Sequence, residues 1–394
     1  MTALAATCRL SGEPLAGAEL LFEIADCPLP GIYPASVAGS LPLRSPLRVV
    51  QSRQSGFVQL AHVFDSALYQ QYSFAGGGSQ AYRRHLESFA DEIARRFPKT
   101  AAILEVGCGD GWLLRRLREL GFTDVLGIDP SRAARGQTES YLVSGYFPQD
   151  IPASHRHRRF DLVISRHVLE HIENPRPFVV ALAAALATDG QLWLEVPDLD
   201  STLVRDLWSN FYQLHCNYFS SVTLDQMAAT AGLRCVAGTV VEVFGGSLLR
   251  KYVHGIAPAL PAPARLRDVG GRVEAFRAHL SQLARQIPAG TVGYGAAERT
   301  AVTLGFAPEL AAALTCLHDG NPLLAGRYLA GTTLPIHGKE ALFQQPPPVI
   351  LLFAISNVTE ILVEWQQRLP ADVIIGIVGG EFEFQTLGTF KSLI

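Results

Sequence analysis

No CxxC pair occurs in this chain: its six cysteines stand apart at positions 8, 27, 108, 216, 235 and 316. So few, scattered cysteines in a chain of this length make a disulfide scaffold improbable, and a reducing, cytoplasmic setting is expected. Charge is scarce as well, at 18% of residues with a formal net of -3. Such a balance supplies no broad basic field for nucleic acid or an anionic membrane. The dense basic cluster, HRHRR at 155 to 159, reads as a solvated loop before a strand. Long apolar runs are missing too. FVVALAAALA at 178 to 187 is too short to span a bilayer. The N-terminus, MTALAATCRL, has no basic patch followed by an apolar block, so no secretory leader is expected.

What the chain does have is apolar material, 48% of 394 residues, enough for sizeable cores in two or three domains. Up to about residue 65 it is rich in Pro, Gly and Ser, with short apolar runs between turns, and reads as a small β-containing module. Tyr82, Leu86, Phe89 and Ile93 then recur at helical spacing within 79 to 97. From 101 onwards the texture alternates: AAILEV, TDVLGID, FDLVIS and QLWLEV are strands, while WLLRRLREL and PRPFVVALAAAL are helices. That rhythm predicts a parallel sheet covered by helices. VAGTVVEVF and SLLRKYV, split by Gly245-Gly246, predict an antiparallel pair closing it. GIAPALPAPARL at 255 to 266 is a linker, and a second β/α series follows a helix at 272 to 286. Its strands are TVGYG, a segment near LTCLHDG, VILLFAI and VIIGIV.

Chemistry enters at the turn Glu105-Val-Gly107-Cys108-Gly109-Asp-Gly111, between a strand and a helix. Glycines there permit positive φ and let a ligand lie on bare backbone. Asp129 ends the next strand, before Pro130, where a carboxylate can accept from both hydroxyls of a ribose. The acid-then-glycines spacing differs from the GxGxxG of dinucleotide binders. FDLVISRHVLEHIENP follows. Together these stretches resemble the class I methyltransferases that use S-adenosylmethionine. The resemblance implies that the glycine turn meets the methionine part of the cofactor and that Asp129 holds the ribose. It further implies that Tyr146, Phe147 and Asp150 line the adenine, with Ser165 and His167 beginning the fourth unit. Cys108 reads as a small packing residue of that turn rather than a nucleophile. His167 and His171 could be taken for a metal pair, but no third ligand is spaced near them along the chain, so no metal is expected.

The flanks extend the resemblance to three-domain C-methyltransferases of nucleotide-linked deoxysugars. That implies a zinc-type module at 1–68, a methyltransferase domain at 69–255 and a C-terminal Rossmann-like domain at 256–394 that helps hold the substrate. GYGAAERT, HDGNP, GRYLAGTTLPI and AISNVTEI stand in the family's order. They carry the implied substrate residues Gly293, Tyr294, Gly295, Arg299, Asn321, Arg327 and Asn357. Departures are specific. The family's paired CxxCG stretches are CRLSG and SRQSG here, so Cys8 remains while Ser11, Ser52 and Ser55 replace three sulfurs. Serine is a poor zinc ligand, and no zinc is expected in this module. In QQYSFAGGGSQAYRRH, Tyr72, Ser79 and His85 match a stretch that packs over the cofactor, whereas Phe74, Gly76 and Gly77 do not. Leu324 stands where the family has a lysine.

FYQLHCNYFSS at 211 to 221 matches the family's catalytic stretch at Tyr212, His215 and Tyr218. Gln213 and Leu214 replace a histidine and a glutamate. The resemblance implies His215 as general base, with a reference pKa of about 6.5 suited to that task, and the two phenols as donors to a developing enolate. The function expected is methylation of carbon next to a ketone in a small molecule, a nucleotide-linked deoxysugar by family default. N- or O-methylation of another intermediate, and a non-catalytic cofactor-binding scaffold, stay open at this point.

Overall fold

The computed structural model describes residues 3–63, 80–131, 134, 136–378 and 384–390. Tyr72, Phe74, Gly76, Gly77 and Ser79 lie outside the described residues. The chain forms two compact units that exchange segments. Unit one comprises Met1–Glu19, Val50–Ser201 and Leu214–Arg265; unit two comprises Leu20–Val49, Thr202–Gln213 and Leu266–Ile394. The boundaries expected at 68 and 255 run linearly along the chain, whereas this division places 20–49 with the C-terminal series.

Unit one holds a seven-stranded sheet: β1 (Ile103–Val106), β2 (Val125–Asp129), β3 (Leu142–Ser144), β4 (Phe160–Arg166), β5 (Leu186–Pro197), β6 (Leu233–Val241) and β7 (Ser247–His254). Their spatial order is β6-β7-β5-β4-β1-β2-β3. The strands from β3 to β5 are mutually parallel, and β7 runs antiparallel to both β5 and β6. This is the class I methyltransferase order of an α/β Rossmann-like sheet. Every residue of β1 and β2 is buried, as expected of strands covered on both faces. One face packs Leu104, Val106, Val163 and Leu194; the other packs Ile103, Leu162, Ile164 and Trp193 against the helices Gln80–Arg96 and Trp112–Glu119. β5 starts at Leu186, five residues earlier than QLWLEV suggested, with a register shift before Gln191.

Short strands complete unit one. Asn217–Tyr218 pairs antiparallel with Val58–Leu60, and Phe219 bridges Asp198 just beyond the end of β5. The 210s stretch is thereby held at the C-terminal edge of the sheet, where open α/β sheets bind ligands.

Unit two holds a second seven-stranded sheet: β8 (Val292–Tyr294), β9 (Leu317–Asp319), β10 (Arg327–Tyr328), β11 (Pro335–Gly338), β12 (Val349–Leu352), β13 (Ile374–Ile377) and β14 (Phe384–Thr386). Its order is β10-β11-β9-β8-β12-β13-β14, parallel except at its two edge strands. Trp365, Ile350, Leu352 and Ile375 centre its core. Among the described residues no helix is long and apolar enough to cross a membrane.

Candidate active site

The glycine turn after β1 is built by backbone demands. Gly107 and Gly109 have φ of 83° and 56°, in the left-handed region that side chains disfavour. A Cβ on Gly107 would lie 2.1 Å from Val168 Cγ2, while one on Gly109 would meet nothing within 4 Å. The turn is therefore tight on the protein side and open on the other, which suits a ligand lying along backbone. Asp129 clasps it: Oδ2 accepts from Gly109 N at 2.9 Å and Oδ1 from Ser131 N at 2.7 Å. Lone pairs remain on both oxygens for a diol. Cys108 is buried, and burial with Glu105 and Asp129 nearby pushes its thiol pKa up, so it is no nucleophile.

Glu105 is buried at the end of β1 and pairs with Arg166 Nη2 at 2.6 Å; its other oxygen has no hydrogen-bond partner. Burial works against the Arg166 charge, but Tyr82, Glu105 and Glu195 outweigh it and raise its pKa. Arg166 Nη1 also donates to the Tyr82 hydroxyl at 3.1 Å, and burial pushes that phenol up to about 12. Beside this pair runs a second buried charge chain. Glu195 on β5 faces His85 at 2.9 Å through one oxygen and His167 at 3.1 Å through the other. Burial disfavours charge on Glu195, yet the two histidines prevail and hold it well below the usual carboxylate range. Burial likewise opposes charge on His167, but Glu170 and Glu195 raise its pKa to about 9. His167 thus sits between two carboxylates, Glu195 at 3.1 Å and Glu170 at 3.5 Å.

Other expected cofactor residues sit in mixed company. Tyr146 is exposed and its backbone N–H donates to Asp150 Oδ2 at 2.8 Å, so Asp150 already shapes this loop. Phe147 packs edge-on against Phe178 at 6.2 Å, with its ring against the core. Ser165 Oγ is buried with no hydrogen-bond partner, a polar atom awaiting one. Pro130 follows β2 as expected.

His215 is 7% exposed, and its ring meets that of His171 edge-on at 4.7 Å. His171 Nδ1 donates to the Leu214 carbonyl at 2.8 Å, which fixes the tautomer, and burial lowers its pKa. Tyr218 is buried on the short strand. The sequence reading spaced His167 and His171 as a helical i, i+4 pair, and the structure corrects this. His167 has a φ of 52°, and only a 3-10 turn, Leu169–His171, follows. Glu170, His171 and His215 present ligand atoms that all lie within 4.8 Å of one another.

At the positions where the resemblance implied a zinc-type module, Cys8 Sγ lies 3.2 Å from Ser55 Oγ, and Ser52 Oγ donates to Glu13, which also accepts from Ser55 N at 3.3 Å.

Unit two carries the remaining expected residues. Tyr212 is buried, and its phenol opposes the fall in the pKa of Arg299 that burial causes. Gln213 donates from Nε2 towards the carbonyls of Pro28 and Ser45, at 3.5 and 3.4 Å. Asp319 repeats the Asp129 clasp, accepting from Ala296 N and Asn321 N at 2.7 Å each. Gly293 lies within β8, and the Tyr294 ring is core, edge-on to Trp365 at 5.0 Å, so it offers a ligand no free phenyl face. Gly295 has φ 96°, and Ala354 fills the space beside it. The Asn321 side chain caps its own turn, Arg327 is exposed, and Asn357 precedes the helix Val358–Arg368. Leu324 is buried, a position a lysine would occupy only at cost.

Comparison with known proteins agrees with this geometry. Residues 80–237 match the family described as a methyltransferase domain, and residues 257–372 match that of the C-methyltransferase C-terminal domain. The C-methyltransferase NovU of Streptomyces niveus is 26% identical over 80% of this chain and 82% of its own length. A tRNA U34 carboxymethyltransferase of Pseudomonas syringae pv. syringae (strain B728a) is 26% identical over 44% of this chain and 62% of its own. A solved protein of Pyrococcus horikoshii OT3 is 18% identical over 49% of this chain and 100% of its own, with a TM-score of 0.38. The sheet order and the glycine turn define a class I methyltransferase. The chain is an S-adenosylmethionine-dependent methyltransferase.

Proposed function

We propose that this enzyme methylates carbon next to a ketone in a small biosynthetic intermediate, with a nucleotide-linked deoxysugar as the acceptor class and His215 as general base. The observation that carries the reading is the match of residues 257–372 to the C-terminal domain of C-methyltransferases, beside the edge-on pair of buried His215 and half-buried His171. S-adenosylmethionine supplies an electrophilic methyl on a sulfonium. The turn Gly107 to Gly111 and Asp129 would hold it, since Gly109 faces open space and Asp129 keeps lone pairs for a ribose. Tyr146 and Ser165 are further contacts. His215 takes the α proton of the ketone and leaves the C–H electron pair on the substrate as an enolate, whose carbon would be the nucleophile for the methyl that the bound cofactor would supply, the sulfur keeping the C–S electron pair. Tyr218 and Tyr212 are the proposed donors to the enolate oxygen. Arg299, Asn321, Arg327 and Asn357 are the proposed substrate contacts in unit two.

The test is turnover with a keto-deoxysugar nucleotide and, separately, hydrogen–deuterium exchange at its α carbon with the demethylated cofactor bound. His215→Asn should lower both by about 10²–10⁴-fold while leaving cofactor affinity unchanged. Exchange at the wild-type rate in that variant would reject the base.

A further inference from the structure

We infer that Glu170, His171 and His215 form a site for a divalent transition-metal cation of the zinc type. The cation would compete with a proton for His215, and that second part rests on the base role proposed above.

Three observations converge. The first is donor chemistry: two imidazoles and a carboxylate, from the 3-10 turn Leu169–His171 and the stretch before Asn217, lie within 4.8 Å of one another. Ligand atoms of a tetrahedral zinc site, at about 2.0–2.2 Å from the metal, stand roughly 3.3–3.5 Å apart. Side-chain rotations of about an ångström close that difference.

The second is a buried carboxylate without hydrogen bonds. Glu170 is 1% exposed, and neither of its carboxylate oxygens has a hydrogen-bond partner. The nearest ion-pair contact is His167 Nδ1 at 3.5 Å, and His167 gives its other nitrogen to Glu195. A buried carboxylate without hydrogen bonds is costly, and a cation held on the side facing His171 and His215 would answer it.

The third is preorganisation. His171 donates Nδ1–H to the Leu214 carbonyl, the arrangement by which metal-ligating histidines fix their tautomer and direct the lone pair of the other nitrogen. The Asn217 side-chain amide donates to Leu169 O at 3.0 Å and Ile172 O at 2.7 Å, bracketing the turn that carries Glu170 and His171. Asn217 is itself fixed by strand pairing with Gln59. The two segments that supply the ligands are therefore tied together before any cation arrives. Three protein ligands leave a fourth position open, as in exchangeable rather than structural zinc sites.

A nitrogen bonded to a metal cannot take a proton. Zinc occupancy would then switch off the base reversibly, with chelation restoring it.

The test is calorimetric titration of zinc chloride into the metal-free full-length chain, with cobalt(II) absorption as a second readout of tetrahedral ligation. Wild type should bind one equivalent. Glu170→Gln, His171→Asn and His215→Asn should each weaken binding at least about tenfold and lose the cobalt bands. Retained S-adenosylmethionine binding certifies that each variant is folded. Failure of wild type to bind zinc, or unchanged affinity in all three variants, overturns the site. Turnover is read apart from this. A His215→Asn enzyme that still methylates rejects the base role and leaves the metal site standing. Zinc that binds at the site without slowing wild-type turnover overturns the competition.

Discussion

The two sheets end their second strand alike and use that ending differently. Asp129 and Asp319 each accept one N–H from the glycine turn of the strand before and one from two residues onward. The clasp is thus a solution to a folding problem: it satisfies turn donors and joins two strands. What separates the units is what lies beyond the clasp. In unit one the turn opens at Gly109 onto free space, and buried opposite charges, Glu105 with Arg166, lie below it. In unit two, Ala354 fills the space beside Gly295, the Tyr294 ring is buried, and burial raises the pKa of Asp319 against its backbone hydrogen bonds. A glycine turn with an aspartate is therefore no sign of a cofactor site until the space beside it is known.

The sharpest way to break this comparison is at the glycines. Gly107→Ala should abolish cofactor binding in calorimetry and cost about 2–4 kcal/mol in urea unfolding, since its methyl meets Val168 at a positive φ. Gly295→Ala should also destabilise, by about 1–3 kcal/mol, but leave S-adenosylmethionine affinity at the wild-type value. Equal loss of affinity in both would erase the distinction. Next come the clasps. Asp129→Asn should weaken the cofactor by about 10–100-fold, the worth of charged hydrogen bonds, whereas Asp319→Asn should not move it.

The smallest effect is in pH. The pKa of His167 is raised to about 9, so its contribution to stability is full below the ordinary histidine value and is lost as pH rises through about 9. Asp319 has a raised pKa, so its contribution is full below the ordinary carboxylate value and is lost as pH rises from there through the raised one. Thermal unfolding should therefore show an alkaline slope that His167→Asn flattens by about 1–3 kcal/mol and a weaker acid-side slope that Asp319→Asn flattens. Identical profiles for the two variants would show that the units do not titrate separately.

The sheet strands, the glycine turn and Asp129 were legible because each is a local pattern: a short apolar run, a set of close glycines, an acid at a strand end. The antiparallel closing pair was legible from Gly245-Gly246. The buried charge chain was not. His85 and Glu195 are 110 residues apart, and nothing local marks Glu195 as other than an exposed strand residue. Glu170 was hidden for a different reason: helical spacing was assumed through 167 to 171, and the left-handed backbone at His167 breaks it. Tyr294 and Phe147 pack against their cores. An aromatic beside a motif reads as a ligand contact, yet one-dimensional spacing cannot tell a ring facing the core from one facing a ligand. The interleaving of the units was beyond local patterns altogether.

That interleaving bears on how the protein is made. Residues 20–49 are made before the other segments of their compact unit, which begin at Thr202 and Leu266. While the intervening chain is synthesised, Leu21, Phe22, Ile24 and Leu47 await the neighbours that complete their unit. Nascent apolar strands kept waiting are substrates for holding chaperones. The same order of synthesis means that neither unit can be cut out as one continuous piece of chain.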